Sequence, residues 1–526
     1  MDKPRTSAAR LALNSVCSVS VNIATALVSV FLTPFILSHM GDQRYGVWAV
    51  LGSIYAYSAV LQLGLYSAIN RHIPMHLARH EESKVREVTS STMAFFLALG
   101  LVVAGATFLL GDWVLGMFVI PSDLLRPARI ALYTVGLVAA TCPGLNSFSA
   151  ILSGYQRYDL MALSRLIAIA LRVCLVVALL GHGESLVFMA LIFGVTECLV
   201  GALNLCFAWR LMPAHPLQLS AIRWQVLQEM FGYGLNTFAY TVGALVVAKT
   251  GEVMIGTFLP PEHITYYALA LLPPMMISGL VESFVGSIKP AVSDLDSRND
   301  TSRIRELTLL SQKYVLLFII PAMAFFLIMG KDFYAVWLHR EMKEAVMLLY
   351  ILAAGHLVRA AQFPLFLVLA GRGEHRVFGG MTLAMGFVAV VLGLFFCRML
   401  GWGSIGVALG STVAMVAVCG VALPYHCAKR LEIALADFAR RSWFPAVYGV
   451  SPGILVLVLW KLWKPPATLF ELALVAISTA LVCGLSVWFL ALDKTERSRF
   501  AGMAFASLEK FAPVSFFERI TRLRRL

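Results

Sequence analysis

The chain has 526 residues, 59% hydrophobic and 13% charged, whereas a soluble protein carries about 25% charged residues. This composition excludes a soluble globular domain. With no alternating strand pattern, it predicts an all-α polytopic membrane protein. The formal net charge of +13 does not point to nucleic acid, because the basic residues gather in loops on one side of the apolar runs.

Met1 to Arg10 is polar and basic. The apolar run behind it is too long for a cleavable signal and lacks a small-residue cleavage site. About fourteen apolar runs of bilayer length follow. They lie near 13–38, 45–70, 89–112, 128–152, 160–181, 184–208, 230–258, 264–288, 311–330, 345–370, 377–397, 402–426, 443–461 and 468–491. About thirty Lys and Arg fall on the side that holds both ends, and about nine on the other. Both termini are therefore expected in the cytoplasm.

In the first run Ser15, Ser18, Asn22, Thr25, Ser29 and Thr33 recur at helical spacing, a polar stripe that predicts a hydrated cavity wall. The second run, Tyr45 to Ile69, reads as one helix ending at Asn70-Arg71-His72. Ser53, Tyr57, Gly64, Ser67 and Arg71 lie near one face of it. That face is either a small-residue packing seam or a substrate cavity wall ending in a cation.

A repeat of about 220 residues is visible. Leu13-Asn14-Ser15 matches Leu235-Asn236-Thr237, and Gly154-Tyr155-Gln156-Arg157 falls near Gly371-Arg372-Gly373-Glu374. It predicts two pseudo-symmetric six-helix halves, 1–223 and 224–430. Two further transmembrane helices follow over 431–492, then a basic amphipathic tail over 493–526, lying on the cytoplasmic leaflet or docking a partner.

The ionisable residues read as intramembrane are Arg172, Glu197, Lys249, Glu252, Glu282 and Arg359. Each is costly in hydrocarbon and is a functional candidate by default. Lys249 and Glu252, three apart, either neutralise each other or serve a substrate. Arg172 has a potential partner in Glu197 on the next helix. Arg359 has no acid nearby in sequence and is expected to be an unpaired cavity cation. Other features carry less. Gly401-Trp402-Gly403-Ser404-Ile405-Gly406 has dinucleotide-site spacing but no preceding strand, so helix packing is the better reading. His72, His76 and His80 share a face but lack clustered Cys or Asp, so no metal is expected. The nine cysteines read as small buried hydrophobes.

The pattern Gly41-x-x-x-Tyr45-Gly46-x-Trp48, then Leu63-Gly64-Leu65, Ser67-Ala68 and Arg71, resembles the opening of the polysaccharide-transporter family. That family holds the Wzx-type flippases for lipid-linked oligosaccharides and belongs with MurJ and the MATE exporters to a larger superfamily. The match covers roughly the first 160 residues and is architectural beyond. Such flippases commonly carry an acid just before the Leu-Gly-Leu, where this chain has Gln62.

The resemblance implies a flippase, not an enzyme, that needs no cofactor. It would move a polyprenyl-phosphate type oligosaccharide across the bacterial inner membrane by alternating access, for lipopolysaccharide or exopolysaccharide assembly. Its partners would be the lipid-linked saccharide, membrane lipids and other polysaccharide-assembly proteins, and not nucleic acid. The cavity candidates are Arg71, Arg172, Lys249, Arg359, Asn22, Thr25, Ser29 and Ser67. Glu197, Glu252 and Glu282 are candidates for ion coupling. A MATE-like antiporter is the alternative, which Glu252 and Glu282 leave open. A membrane glycosyltransferase is the third reading. It is rejected because the loops near 112–128 and 331–344 are short, and Asp332 with His339 is too slight a constellation.

Overall fold

The computed structural model describes residues 8–62, 64–181, 185–212 and 217–511. Helix follows helix through all of them. The first half holds α1 (Ala8–Leu61), α2 (Leu65–Ala78), α3 (Glu82–Gly116), α4 (Ser122–Asn146), α5 (Ser149–Gly154), α6 (Tyr158–Leu179) and α7 (Ser185–Leu211). The second holds α8 (Trp224–Phe258), α9 (Pro261–Val285), α10 (Ile288–Ser297), α11 (Thr301–Leu338), α12 (Lys343–Ala361), α13 (Phe363–Gly371), α14 (His375–Leu394), α15 (Gly403–Met415) and α16 (Leu423–Leu431). Then come α17 (Leu435–Phe438), α18 (Phe444–Trp463), α19 (Leu469–Ser486) and α20 (Lys494–Phe511).

Among the described residues, thirteen stretches are long and apolar enough to cross a bilayer. The first, Val19–Leu61, is 43 residues, about 65 Å if straight and twice a hydrocarbon core. It breaks at Gly41, which is non-helical at φ 74° and ψ 169°, a backbone state that costs glycine little. Thr33 and Tyr45 interact across the break, and Ile36, Met40, Val47 and Leu51 pack in one cluster. The chain therefore reverses at Gly41, and this stretch makes two crossings. The resulting fourteen match the count read from the apolar runs.

The second crossing is shorter than expected. It ends at Leu61, and the chain turns at Gln62 and Gly64, the latter at φ 71°. It restarts as α2. Ser67 and Arg71 therefore lie on a different helix from Ser53 and Tyr57, and the single stripe does not exist. The same interruption recurs. The crossing begun by α4 breaks before α5, the one begun by α9 before α10, and the one begun by α12 before α13. In each half the two short helices then pack together, α2 on α5 and α10 on α13. This is the repeat, expressed as matching breaks in the second and fourth crossing of each half.

The Gly41 turn lies at one end of the bundle, called here the Gly41 face. The start of α1, the start of α20 and the short helices lie at the other, the terminal face. The connection between halves is tied to the start of α3. The Gln218 and Arg223 amides donate to Ser90 Oγ (2.9 Å) and Ser91 Oγ (2.8 Å). In α8, Met230 and Phe231 join the first half's core, where Phe231 meets Phe95 at 5.2 Å. From Tyr240 onward α8 packs on the second half, with Tyr240 stacked on Phe378 at 4.3 Å. α18 and α19 lean on α11.

The tail begins otherwise than a surface helix would. Glu496, in the first turn of α20, forms a buried ion pair with Lys313 of α11 (2.7 Å). It also accepts from the Tyr314 hydroxyl (3.0 Å). Residues 512–526, the rest of the expected amphipathic tail, lie outside the described residues.

Candidate functional site

A cavity of about 510 Å³ lies between the halves, where α1 faces α9. Asn22, Thr25, Ala26 and Ser29 form one wall, and Met276, Gly279, Leu280, Glu282 and Ser283 the other. Of the stripe on α1, Asn22, Thr25 and Ser29 line this space, and Thr33 does not. The side chains of Ser15 and Ser18 are not among the described ones. Asn22 Nδ2 crosses the cavity to Ser283 Oγ at 2.9 Å. Thr25 donates to Val21 O at 2.8 Å, which leaves its oxygen lone pairs toward the cavity.

Arg359 differs from its expectation. It is not unpaired, because its Nη2 donates to Glu282 Oε1 at 3.4 Å. The partner lies on α9, 77 residues away in the chain. The pair is long and partly open, with the Glu282 side chain 40% exposed. Tyr240 of α8 senses both charges. His356, one turn before Arg359, is buried and reaches Ser278 Oγ at 3.3 Å. Asn22, Thr25, Ser29 and Glu282 therefore line one cavity, and Arg359 is tied to it through Glu282. Ser283 lines it too, without any warning from sequence spacing.

The remaining candidates stand elsewhere. Lys249 Nζ pairs with Glu252 Oε1 at 3.2 Å on α8. Across the interface between halves, Ser53 hydrogen-bonds Glu252 and Tyr57 hydrogen-bonds Thr250. Arg172 Nη2 donates to Glu197 Oε1 at 3.0 Å and to Thr196 Oγ1 at 2.8 Å. A second cation, Arg165, reaches the same carboxylate at 3.1 Å. It stands two turns inside α6. Ser67 lies in the first turn of α2, and Arg71 is exposed further along it. His76 turns to Glu81 at 2.7 Å.

A second, apolar groove of about 940 Å³ adjoins the cavity. Leu317, Phe318 and Phe325 of α11 line one side, and Ala480, Cys483 and Trp488 line the other. Ile277 of α9 lies in this groove while its neighbour Met276 lines the polar cavity. The two spaces thus share a helix.

On the Gly41 face the halves touch. Arg340 of the second half forms an ion pair with Asp42. The Thr265 hydroxyl donates to Asp42 O (2.6 Å), Gln43 Nε2 to Glu262 Oε1 (2.6 Å), and Trp337 Nε1 to Val30 O (2.6 Å). Gly46 makes the closest approach. A Cβ there would stand 1.9 Å from the Pro261 carbonyl oxygen, so the contact admits hydrogen alone.

A family model described as polysaccharide biosynthesis protein matches residues 32–347, more than half of the chain. The chain belongs to that family. It is 21% identical over 423 residues to the uncharacterized membrane protein EpsK of Bacillus subtilis (strain 168), covering 78% of this chain and 82% of that protein. Among solved structures it resembles an inward-facing multidrug resistance MATE family transporter of the MOP superfamily. The TM-score is 0.67 at 12% identity, over 80% of this chain and 99% of the other. It also resembles the lipid II flippase MurJ in an inward closed conformation, with TM-score 0.66 at 14% identity, over 90% and 97%. The fold of this family member is thus that of polytopic membrane transporters.

Proposed function

We propose that this member of the polysaccharide biosynthesis family flips a lipid-linked oligosaccharide of the polyprenyl-phosphate type across the bacterial inner membrane. The observation that carries the reading is the pairing of two unlike spaces along α9. The polar cavity suits sugars and phosphate, and the apolar groove suits a hydrocarbon tail. An amphiphile with a hydrophilic head and a long apolar tail needs both at once. Arg359 is the residue assigned to phosphate. Its pairing with Glu282 is long, so a phosphate can compete for the guanidinium with two charge-assisted bonds. Glu282, released in that exchange, is the ion-coupling residue of this reading.

The division into halves is 1–223 and 224–430, with 431–492 supplying α19 as the far wall of the groove. The excess of Lys and Arg on the terminal face supports a cytoplasmic position for that face. The cavity between touching Gly41-face ends is then the inward-facing state, and transport alternates it with the opposite opening. The antiporter reading needs an acid left for a cation. Here Glu252 is bonded to Lys249, and Glu282 to Arg359.

The test is reconstitution in vesicles with a fluorescent lipid-linked oligosaccharide and a membrane-impermeant quencher. The expected result is flipping that Arg359→Ala abolishes at normal abundance and Arg359→Lys retains in part. Efflux of cationic dyes without any flipping would overturn the proposal in favour of antiport.

A further inference from the structure

On the Gly41 face several groups of the second half converge on one residue of the first. Asp42 follows the turn that reverses the chain. Its carboxylate accepts the Arg340 guanidinium as a fork, Nη1 reaching Oδ2 at 3.2 Å and Nη2 reaching Oδ1. The Tyr266 hydroxyl donates to Oδ2 at 3.3 Å, and the Thr265 hydroxyl to the Asp42 carbonyl at 2.6 Å. Thr265 and Tyr266 stand near the start of α9, and Arg340 just past the end of α11. There His339 takes the left-handed backbone at φ 54°, a state uncommon for a residue with a side chain. It ends the helix and lets Arg340 turn to Asp42.

The contact is specific and yet open. A fork of two parallel bonds fixes which residues meet. The Arg340 side chain is 43% exposed and the Asp42 side chain 17%, and both border a polar recess of about 290 Å³. An ion pair so open to water costs far less to break than a buried one such as Lys313 with Glu496. It can therefore release and reform. One turn beyond Asp42, Gly46 lies against Pro261. One turn further, Val50 is buried in a cluster made mostly of second-half residues. Asp42 thus stands at the rim of a seam between the halves, and Val50 stands beneath it.

We propose that Asp42 is the latch of the Gly41 face. Arg340 and Tyr266 hold it while the seam is shut, and their release lets the seam part down to Val50. The latch sets how often this face opens, a role that no spacing in the sequence marks for Asp42, Tyr266 or Arg340. The proposal rests on the alternating-access part of the flippase reading and is independent of the substrate.

The experiment reads opening and not transport, so it and the flipping assay can fail independently. The full chain carrying Val50→Cys is treated in nanodiscs with a membrane-impermeant maleimide, and labelling rates are read peptide by peptide by mass spectrometry. Val135→Cys, in the first half's own core, is the control for unfolding. Arg340→Ala should raise labelling at Val50→Cys at least about threefold. Asp42→Ala, which also frees Tyr266, should raise it at least about tenfold. Labelling at Val135→Cys should stay unchanged in both. The exchange Asp42→Arg/Arg340→Asp should bring labelling at Val50→Cys back to within about twofold of the parent. The fork then reforms with its ends reversed, and the Tyr266 hydroxyl can accept as well as donate. Unchanged labelling at Val50→Cys in Asp42→Ala overturns the proposal. So does an exchange protein as open as Asp42→Ala, or a parallel rise at Val135→Cys.

Discussion

Glu496→Ala should detach α20 from the bundle. The side chains of Lys313 and Glu496 are 7% and 4% exposed, with Nζ 2.7 Å from the carboxylate. Removing one partner strands a buried charge, which costs about 3–5 kcal/mol. Glu496 also accepts from the Asp493 amide (2.8 Å), while Asp493 caps the Glu496 amide (2.7 Å). Losing that reciprocal cap costs about 1 kcal/mol more. A penalty of about 4 kcal/mol raises the undocked population of the helix by about a thousandfold. Limited trypsin digestion in detergent reads this directly, since Lys494, Arg497 and Arg499 sit in the same turns. Cleavage there should rise steeply while the bundle stays folded. The double variant Lys313→Met/Glu496→Leu should recover most of the protection, because a well-packed apolar pair replaces a buried ion pair at little cost. Unchanged cleavage in Glu496→Ala would refute the argument that this pair docks the tail. So would a double variant as labile as the single one.

Gly46→Ala should prevent closure of the Gly41 face, at a cost of about 1–3 kcal/mol for the forced separation. Thiol labelling at Gln43→Cys would then rise with abundance unchanged. The Lys249→Glu/Glu252→Lys exchange should recover what either single change loses if the two only neutralise each other. An exchange protein that folds but does not flip would place Lys249 at the substrate. Cysteine labelling at Ser122, Glu262 and Met342 should report the outside, and at Ser83, Asn299 and Asp437 the cytoplasm. Reversal at two of these would overturn the orientation. Acidification should loosen the start of α20. The Glu496 amide holds the Asp493 carboxyl below its usual range, so the cap is complete above that range and lost as pH falls through the lowered value. Faster trypsin cleavage only at alkaline pH would contradict it.

The crossings were legible in the sequence because a bilayer imposes a length of apolar chain, and this chain complies nearly everywhere. The polar stripe of α1 was legible for a similar reason, since its spacing is set within one helix. The break at Gln62 to Gly64 was not, because Leu61, Leu63 and Leu65 keep the run apolar through the turn. Partnerships between helices far apart in the chain left no local trace, unlike Arg172 and Glu197 on successive helices. Glu282 and Arg359 are joined by folding alone, and so are Lys313 and Glu496. Arg165 and Lys313 stand near the starts of the runs 160–181 and 311–330, beside the charges of the flanking loops, and nothing local to either marks its carboxylate partner on another helix.

The connection between the halves has a mechanical consequence. Gln218 and Arg223 are fastened to Ser90 and Ser91, and Met230 and Phe231 of α8 sit in the core of the first half. A swing about residues 217–223 is therefore resisted. In the alternating-access reading proposed above, relative motion of the halves is taken up within α8 itself, between Phe231, held by Phe95, and Tyr240, held by Phe378. That interval contains Gly232 and Gly234, residues at which a helix flexes readily. One continuous helix then acts as the flexure of the transporter. Stiffening it with alanine at Gly232 would slow exchange between the two openings without altering either one.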